Sequence, residues 1–173
     1  MTLEHFNARP DAEAALLGCC AAPRWAAQVA GGRPYSSVED LQDAAAAALT
    51  DADLDAAMAG HPRIGDRAAG GTSGREQAAV TRAGEDVRAA LAAGNRVYEE
   101  RFGHVYLVCA SGRGAEDLLA TLHARLGNDL ATERAVALGE LAAINRIRLG
   151  GLVAGATHDG HRPATSARQD DRP

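Results

Sequence analysis

One run in this chain has the pattern of a β-strand. It is Val105-Tyr106-Leu107-Val108-Cys109-Ala110, apolar and rich in β-branched side chains. A lone strand cannot satisfy its own backbone, and a stable sheet needs several. The rest of the chain must therefore bury its apolar surface as helices, leaving 105–110 as an extended, buried connector. Aromatic residues make up only 3% and alanine is abundant, which lets helix axes approach closely. The expected fold is all-α: a single-domain, compact bundle of roughly eight helices with one extended connector.

Periodicity and punctuation place those helices. Residues 1–9 hold one turn with Leu3 and Phe6 inward. In 11–21, Ala14, Leu17 and Ala21 recur at helical spacing and are expected to face the core. Pro23 suits the first turn of a helix carrying Trp25, Ala26 and Val29, which Gly31-Gly32 ends. Ser36-x-x-Glu39 has the form of a capping box for a helix running through Leu41 and 44–48. Thr50-x-x-Asp53 caps another that carries Leu54, Ala57 and Met58, with Gly60 placed to end it. The stretch 65–74 is a loop by composition and long for a compact domain. Beyond it Ser73-x-x-Glu76 opens a helix, and a further one spans 85–101 with Val87, Leu91 and Tyr98 inward, closed by Phe102-Gly103. A turn at 111–114 precedes a helix striped by Leu118, Leu119, Leu122 and Leu126. The last and longest helix begins at Asn128 or Asp129 and runs to Val153. The domain is thus expected over 1–153, and 154–173, polar and without apolar period, is expected to be a disordered tail.

Charge and cysteine usage exclude several function classes. The formal net charge is −5 with no basic cluster, which argues against nucleic acid as a partner. A small anionic substrate is still admitted, because a local cationic pocket can sit in an acidic protein. Cys19, Cys20 and Cys109 show no zinc or disulfide spacing and are expected as reduced thiols packed as small hydrophobes. His61, His104 and His123 share no ligand spacing, so no metal site is expected. The N-terminus lacks the apolar run of a signal peptide, no stretch approaches the roughly 20 residues of a membrane span, and Asp171-Arg172-Pro173 is not a peroxisomal address. Together these point to a cytoplasmic protein.

Three places could carry chemistry. His61 follows a helix in His61-Pro62-Arg63-Ile64-Gly65-Asp66. It has the side chain best suited to proton transfer near neutral pH, though His-Pro is also a common helix stop. Ser73, Glu76 and Gln77 stand at a helix start, where they either complete a cap or present polar groups to an anionic or amide-rich ligand. Arg148 is the most informative. With Ala137 at zero on a wheel of about 100° per residue, Leu141 falls near 40°, Ile144 near −20° and Arg148 near 20°. Arg146 falls near 180°, on the solvent side. An inward arginine needs a carboxylate such as Glu76 or a bound anion as partner, or else its end snorkels to water. The segment 102–106 has backbone groups that either satisfy themselves in a buried connector or hydrogen-bond a planar heterocycle. Arg63, Asp66 and Arg67 are taken as loop and surface residues.

These residues, in this order, resemble a known family. The resemblance is carried by Cys19-Cys20 with Trp25-Ala26, Arg33-Pro34-Tyr35, His61-Pro62-Arg63-Ile64-Gly65 and Ser73 with Glu76-Gln77. It continues through Asn95, Tyr98 and Arg101-Phe102-Gly103, then Arg125-Leu126 with Asn128, and Glu133, Glu140, Ile144 and Arg148-Leu149. It covers about 3–152 and is to the decarboxylases of 2-oxo-4-hydroxy-4-carboxy-5-ureidoimidazoline (OHCU). The family implies an all-α, cofactor-free lyase of urate degradation. Such enzymes convert OHCU, made from urate through 5-hydroxyisourate, to (S)-allantoin and carbon dioxide, and often form homodimers. By the resemblance, His61 and Glu76 are the catalytic pair. Ser73, Gln77 and Arg148 bind substrate, and Pro62 shapes the pocket beside the histidine. Main-chain groups of Val105, Tyr106, Leu107, Val108 and Cys109 match the family's backbone contacts to substrate. His104 stands where many members carry an aromatic or apolar residue, and is given no role. A rival reading keeps the pocket but not the catalysis: a helical binding module for a ureide or purine-derived anion.

Overall fold

The longest helix organises the molecule. In the computed structural model, which describes residues 1–59, 61, 63, 64, 80 and 83–155, eight helices occur among the described residues. They are α1 (Leu3–Ala8), α2 (Ala12–Leu17), α3 (Pro23–Gly31), α4 (Val38–Ala48), α5 (Asp51–Ala59), α6 (Glu85–Phe102), α7 (Ala115–Arg125) and α8 (Leu130–Val153). The expected all-α fold is what forms, with 105–110 extended and no strand assigned among the described residues.

Helix α8 starts at Asp129, whose carboxylate accepts from the Thr132 N–H at 2.8 Å. It packs on α4 and α5, while α6 pairs with α7. Two apolar clusters result. One gathers Phe6, Leu16, Trp25, Leu41 and Leu54 with Leu141 and Leu149 of α8. The other gathers Leu91, Tyr98, Leu118 and Leu122 with Ile64 and Val80. Trp25 is fully buried and still satisfies its indole N–H, which donates to the Ala45 carbonyl at 2.8 Å. The chain start is tied to the end of α8: the Met1 ammonium donates to the Leu152 carbonyl, and the Gly155 N–H to Met1. Residues 156–173, expected as a tail, lie outside the described residues, as do Gly60 and 65–79.

Two local expectations are corrected. Ala14, Leu17 and Ala21 are exposed, whereas Ala12, Leu16, Cys19 and Cys20 are buried. Helix α2 has only six residues and two adjacent leucines, so its period does not decide which leucine points in. The decision comes from the turn that follows, where the Cys19 and Cys20 N–H groups both donate to the Leu16 carbonyl and roll both thiols inward. The cap of α4 is Ser37, one residue later than expected, its hydroxyl accepting from the Asp40 N–H. At α5 the expected Thr50-x-x-Asp53 pair forms as a cap, the Asp53 carboxylate accepting from the Thr50 N–H at 2.9 Å.

Candidate active site

The chain leaves α5 through His61, whose N–H donates to the Met58 carbonyl at 3.0 Å. The imidazole Nδ1 lies 2.9 Å from the Ala57 carbonyl oxygen. A carbonyl can only accept, so Nδ1 carries the proton and Nε2 is the basic nitrogen of the neutral ring. The half-buried ring lines a cleft of about 660 Å³ together with Met58, Arg63, Glu99, His104 and Val105. Two contacts to α6 fix the chain just beyond it. Arg63 forms a bidentate pair with Glu99 at 2.5 and 2.8 Å, and the buried Asn95 amide donates to the Ile64 carbonyl at 2.9 Å. Arg63, expected as a surface residue, is exposed but forms the rim of the cleft. Pro62, Ser73, Glu76 and Gln77 lie outside the described residues, as do Asp66 and Arg67.

Arg148 lies on the inward side of α8, as the wheel predicts: Ala137, Leu141 and Ile144 are buried and Arg148 is half-buried. Arg146 on the far side pairs with Asp43 at 2.8 Å. Nη1 of Arg148 donates to the Cys19 carbonyl at 2.9 Å, a backbone partner that neither sequence reading named. The guanidinium favours thiolate at both adjacent cysteines, but burial outweighs it, pushing the Cys19 thiol up to about 11 and Cys20 up as well. Both are therefore protonated at neutral pH, consistent with packing rather than nucleophilic roles.

The extended run 105–110 passes between the two cores. Val105, Leu107 and Cys109 pack into the first, while Tyr106, Val108 and Ala110 pack into the second, the alternation of an extended chain. Its backbone is gripped along one edge. Arg125 Nη1 donates to the Leu107 carbonyl at 2.8 Å, and the Cys109 N–H donates to Glu140 Oε2 at 2.8 Å. Tyr106 and Val108 are buried, yet among the described residues nothing pairs with their backbone N–H or C=O groups. Buried backbone groups are almost always paired, so this edge is a candidate for ligand contact. Val105, where the run begins, lines the same cleft as His61.

The grip on the connector is part of a buried ion-pair network. Glu133, with no exposed surface, accepts from Arg125 Nε at 2.8 Å, from Asn128 Nδ2 at 2.7 Å and from the Tyr98 hydroxyl. Arg125 also stacks over the Tyr106 ring, 4.9 Å from its centroid. Burial, reinforced by the bond to Glu133, raises the Tyr98 hydroxyl above its usual range, and burial pushes Tyr106 up to about 12. Burial opposes the Arg125 charge, but the Glu133 bonds outweigh it. The sequence reading gave Arg125, Glu133 and Glu140 no role. The wheel that found Arg148 held the signal, since Glu133 falls near −40° and Glu140 near −60° on the same apolar face. His104 packs against the Tyr98 and Phe102 rings. Among the described residues no three His, Cys, Asp or Glu side chains are grouped as a metal site requires, and no helix is long and apolar enough to cross a membrane.

A helical bundle with a carbonyl-anchored histidine in a cleft, an inward arginine and a backbone edge that no described residue pairs at Tyr106 and Val108 defines an all-α domain equipped for a small polar ligand. Comparison with known proteins gives the class a family. The profile described as OHCU decarboxylase matches residues 7–150. The chain is 33% identical over 148 residues to the 2-oxo-4-hydroxy-4-carboxy-5-ureidoimidazoline decarboxylase of Amia calva, covering 79% of this chain and 84% of that protein. It is 29% identical over 135 residues to the enzyme of the same name from Haloferax volcanii, covering 72% and 79% respectively. Its fold matches the crystal structure of an OHCU decarboxylase in the presence of (S)-allantoin, with a TM-score of 0.71, 24% identity, and coverage of 80% of this chain and 96% of that one. The chain belongs to the OHCU decarboxylase family.

Proposed function

We propose that this chain is a carboxy-lyase that converts OHCU to (S)-allantoin and carbon dioxide in urate breakdown, using its own side chains and backbone without a cofactor. The observation that carries the reading is the tautomer of His61: Nδ1 is committed to the Ala57 carbonyl, so basic Nε2 is the atom for proton transfer in the cleft. Loss of carbon dioxide from the hydroxyl-bearing carbon leaves an electron pair that forms a double bond to the adjacent ureido-bearing carbon, pushing the electrons of its C=N bond onto the ring nitrogen and the carbonyl beside it. The hydroxyl then gives up its proton as its carbon becomes a carbonyl, and a proton reaches one face of the ureido-bearing carbon. His61 exchanges a proton either with the substrate hydroxyl or with that carbanionic carbon. Glu76 orients the imidazole or holds the ureido N–H groups, Ser73 and Gln77 take the polar edge of the ring, and Pro62 shapes the wall beside the histidine. The open backbone edge of Tyr106 and Val108 supplies donors and acceptors to the planar ureide, with Val105, Leu107 and Cys109 completing that wall.

Arg148 offsets negative charge, under a constraint. A guanidinium gripping the departing carboxylate would stabilise the ground state and slow the reaction. It acts best near the carbonyl where charge develops. The test is to generate OHCU in situ from urate with the two upstream enzymes, add the purified chain, and follow allantoin by circular dichroism. Accelerated, optically active allantoin supports the reading. Racemic product at the uncatalysed rate, with binding intact, would mean a non-catalytic ureide-binding domain.

A further inference from the structure

Among the described residues, the middle of the run 105–110 is held along one edge, and Glu140 is half of that hold. In an extended chain the N–H and C=O groups of residues two apart face the same edge. The bonds from Arg125 to the Leu107 carbonyl and from the Cys109 N–H to Glu140, both 2.8 Å, therefore occupy one edge. Tyr106 and Val108 turn their backbone groups to the opposite edge, where the described residues offer them nothing. A slip of one residue would exchange the two edges and drive each side chain into the wrong core. Whatever fixes this register also fixes where the open edge points.

Arg125 is absorbed in the buried network with Glu133, so its part in the hold cannot be separated from the scaffold. Glu140 can be separated. It is partly exposed, and its Oε1 lies only within 4.0 Å of Arg113 and Arg125, too long for hydrogen bonds. Its short contact is the Cys109 N–H. We propose that Glu140 is a positioning residue for the substrate: by holding the Cys109 N–H it sets the register of the run and aims the Tyr106 and Val108 backbone groups at the ligand. This rests on the proposed function, in which that edge meets the ureide.

Two conservative variants separate reach from charge. Glu140→Gln keeps an acceptor at the right length and loses the charge. Glu140→Asp keeps the charge and is one methylene too short. The positioning role predicts that Glu140→Asp raises KM for OHCU about tenfold with kcat little changed, since contacts made equally in ground and transition states move KM. It also predicts that Glu140→Asp loses most of the Tm rise given by (S)-allantoin, while Glu140→Gln stays within about threefold of the parent in KM. A charge-balancing role toward Arg113 and Arg125 predicts the reverse order. The inference is overturned if Glu140→Gln is the worse variant, if neither changes KM, or if either loses its fold by circular dichroism, which would assign Glu140 to the scaffold. A parent chain that neither turns over OHCU nor responds to (S)-allantoin overturns the functional reading itself, and is distinguished from these outcomes by needing no variant.

Discussion

Replacing Arg125 by Met tests whether the buried network, rather than apolar packing alone, holds the connector in place. Met approximates the length and volume of the arginine stem and removes the guanidinium. The Glu133 carboxylate is then left with no exposed surface and, among the described residues, with Tyr98 and Asn128 as its side-chain partners, and the Leu107 carbonyl loses its Arg125 donor. Removing one member of a buried ion pair costs about 3–5 kcal/mol, chiefly because the remaining charge stays dehydrated. For a chain of this size each kcal/mol moves Tm by roughly 2–4 °C, so the expected fall is about 6–20 °C. Urea unfolding followed by far-UV circular dichroism gives the free energy directly. The double variant Arg125→Met, Glu133→Gln removes the stranded charge and is expected to recover at least half of the loss, about 1.5–2.5 kcal/mol or more. A single variant losing under about 1 kcal/mol, or a double variant whose loss is the sum of the two singles, would refute the reasoning. The first result would mean that the charge was never strongly dehydrated. The second would mean that Arg125 and Glu133 act independently despite their contact.

Other outcomes follow from single sites. His61→Asn is expected to lower turnover of OHCU by about 10²–10⁴ while still showing an (S)-allantoin thermal shift, and near-normal turnover in the circular dichroism assay would remove His61 from the chemistry. Gly94→Ala sets two effects against each other. Alanine gains about 1 kcal/mol of helix propensity, but its Cβ would lie 2.5 Å from Leu122 Cδ2 in a fully buried contact, and overpacking costs about 1–3 kcal/mol. Net destabilisation is expected in urea unfolding, turning neutral or favourable when Leu122→Ala is introduced as well. At Asp53, burial raises the carboxyl pKa, but hydrogen bonds from Arg24 and Thr50 outweigh it and hold the group below its usual 3.8. A depressed carboxylate contributes stability above the unfolded pKa and loses it as pH falls through the folded one. Asp53→Asn is thus expected to cost about 1–3 kcal/mol near neutral pH, with the gap to the parent closing below about pH 4 in a series of thermal melts.

Much of the fold was legible because helices are local. Pro23 at the head of α3, Gly103 in the left-handed conformation after α6, and Asp129 capping α8 are each decided within a few residues. Periodicity sufficed for α8, whose seven turns average out ambiguity. It failed for α2, where a turn and a half left Leu16 and Leu17 equally eligible and the Cys19-Cys20 turn chose. The candidate site was legible only in part. His61 stood out by chemical type and Arg148 by its place in an apolar stripe, but neither the Ala57 carbonyl that sets the His61 tautomer nor the Cys19 carbonyl that receives Arg148 is marked in the sequence.

By itself the sequence determined the class of the fold, the inward face of the last helix, and the resemblance that family comparison bears out. One β-like run could not make a sheet, and regular helical spacing carries its own geometry. Only the tertiary structure decided what that run does. Its alternation sends Leu107 to one core and Tyr106 to the other, and its backbone is gripped on one edge while the described residues leave Tyr106 and Val108 unpaired on the other. That outcome depends on Arg125 and Glu140, which reach the run from two other helices, and on Glu133, which holds Arg125. Hydrogen bonds between groups distant in sequence are set by how helices pack, and packing energies are sums over many partners that no local pattern records.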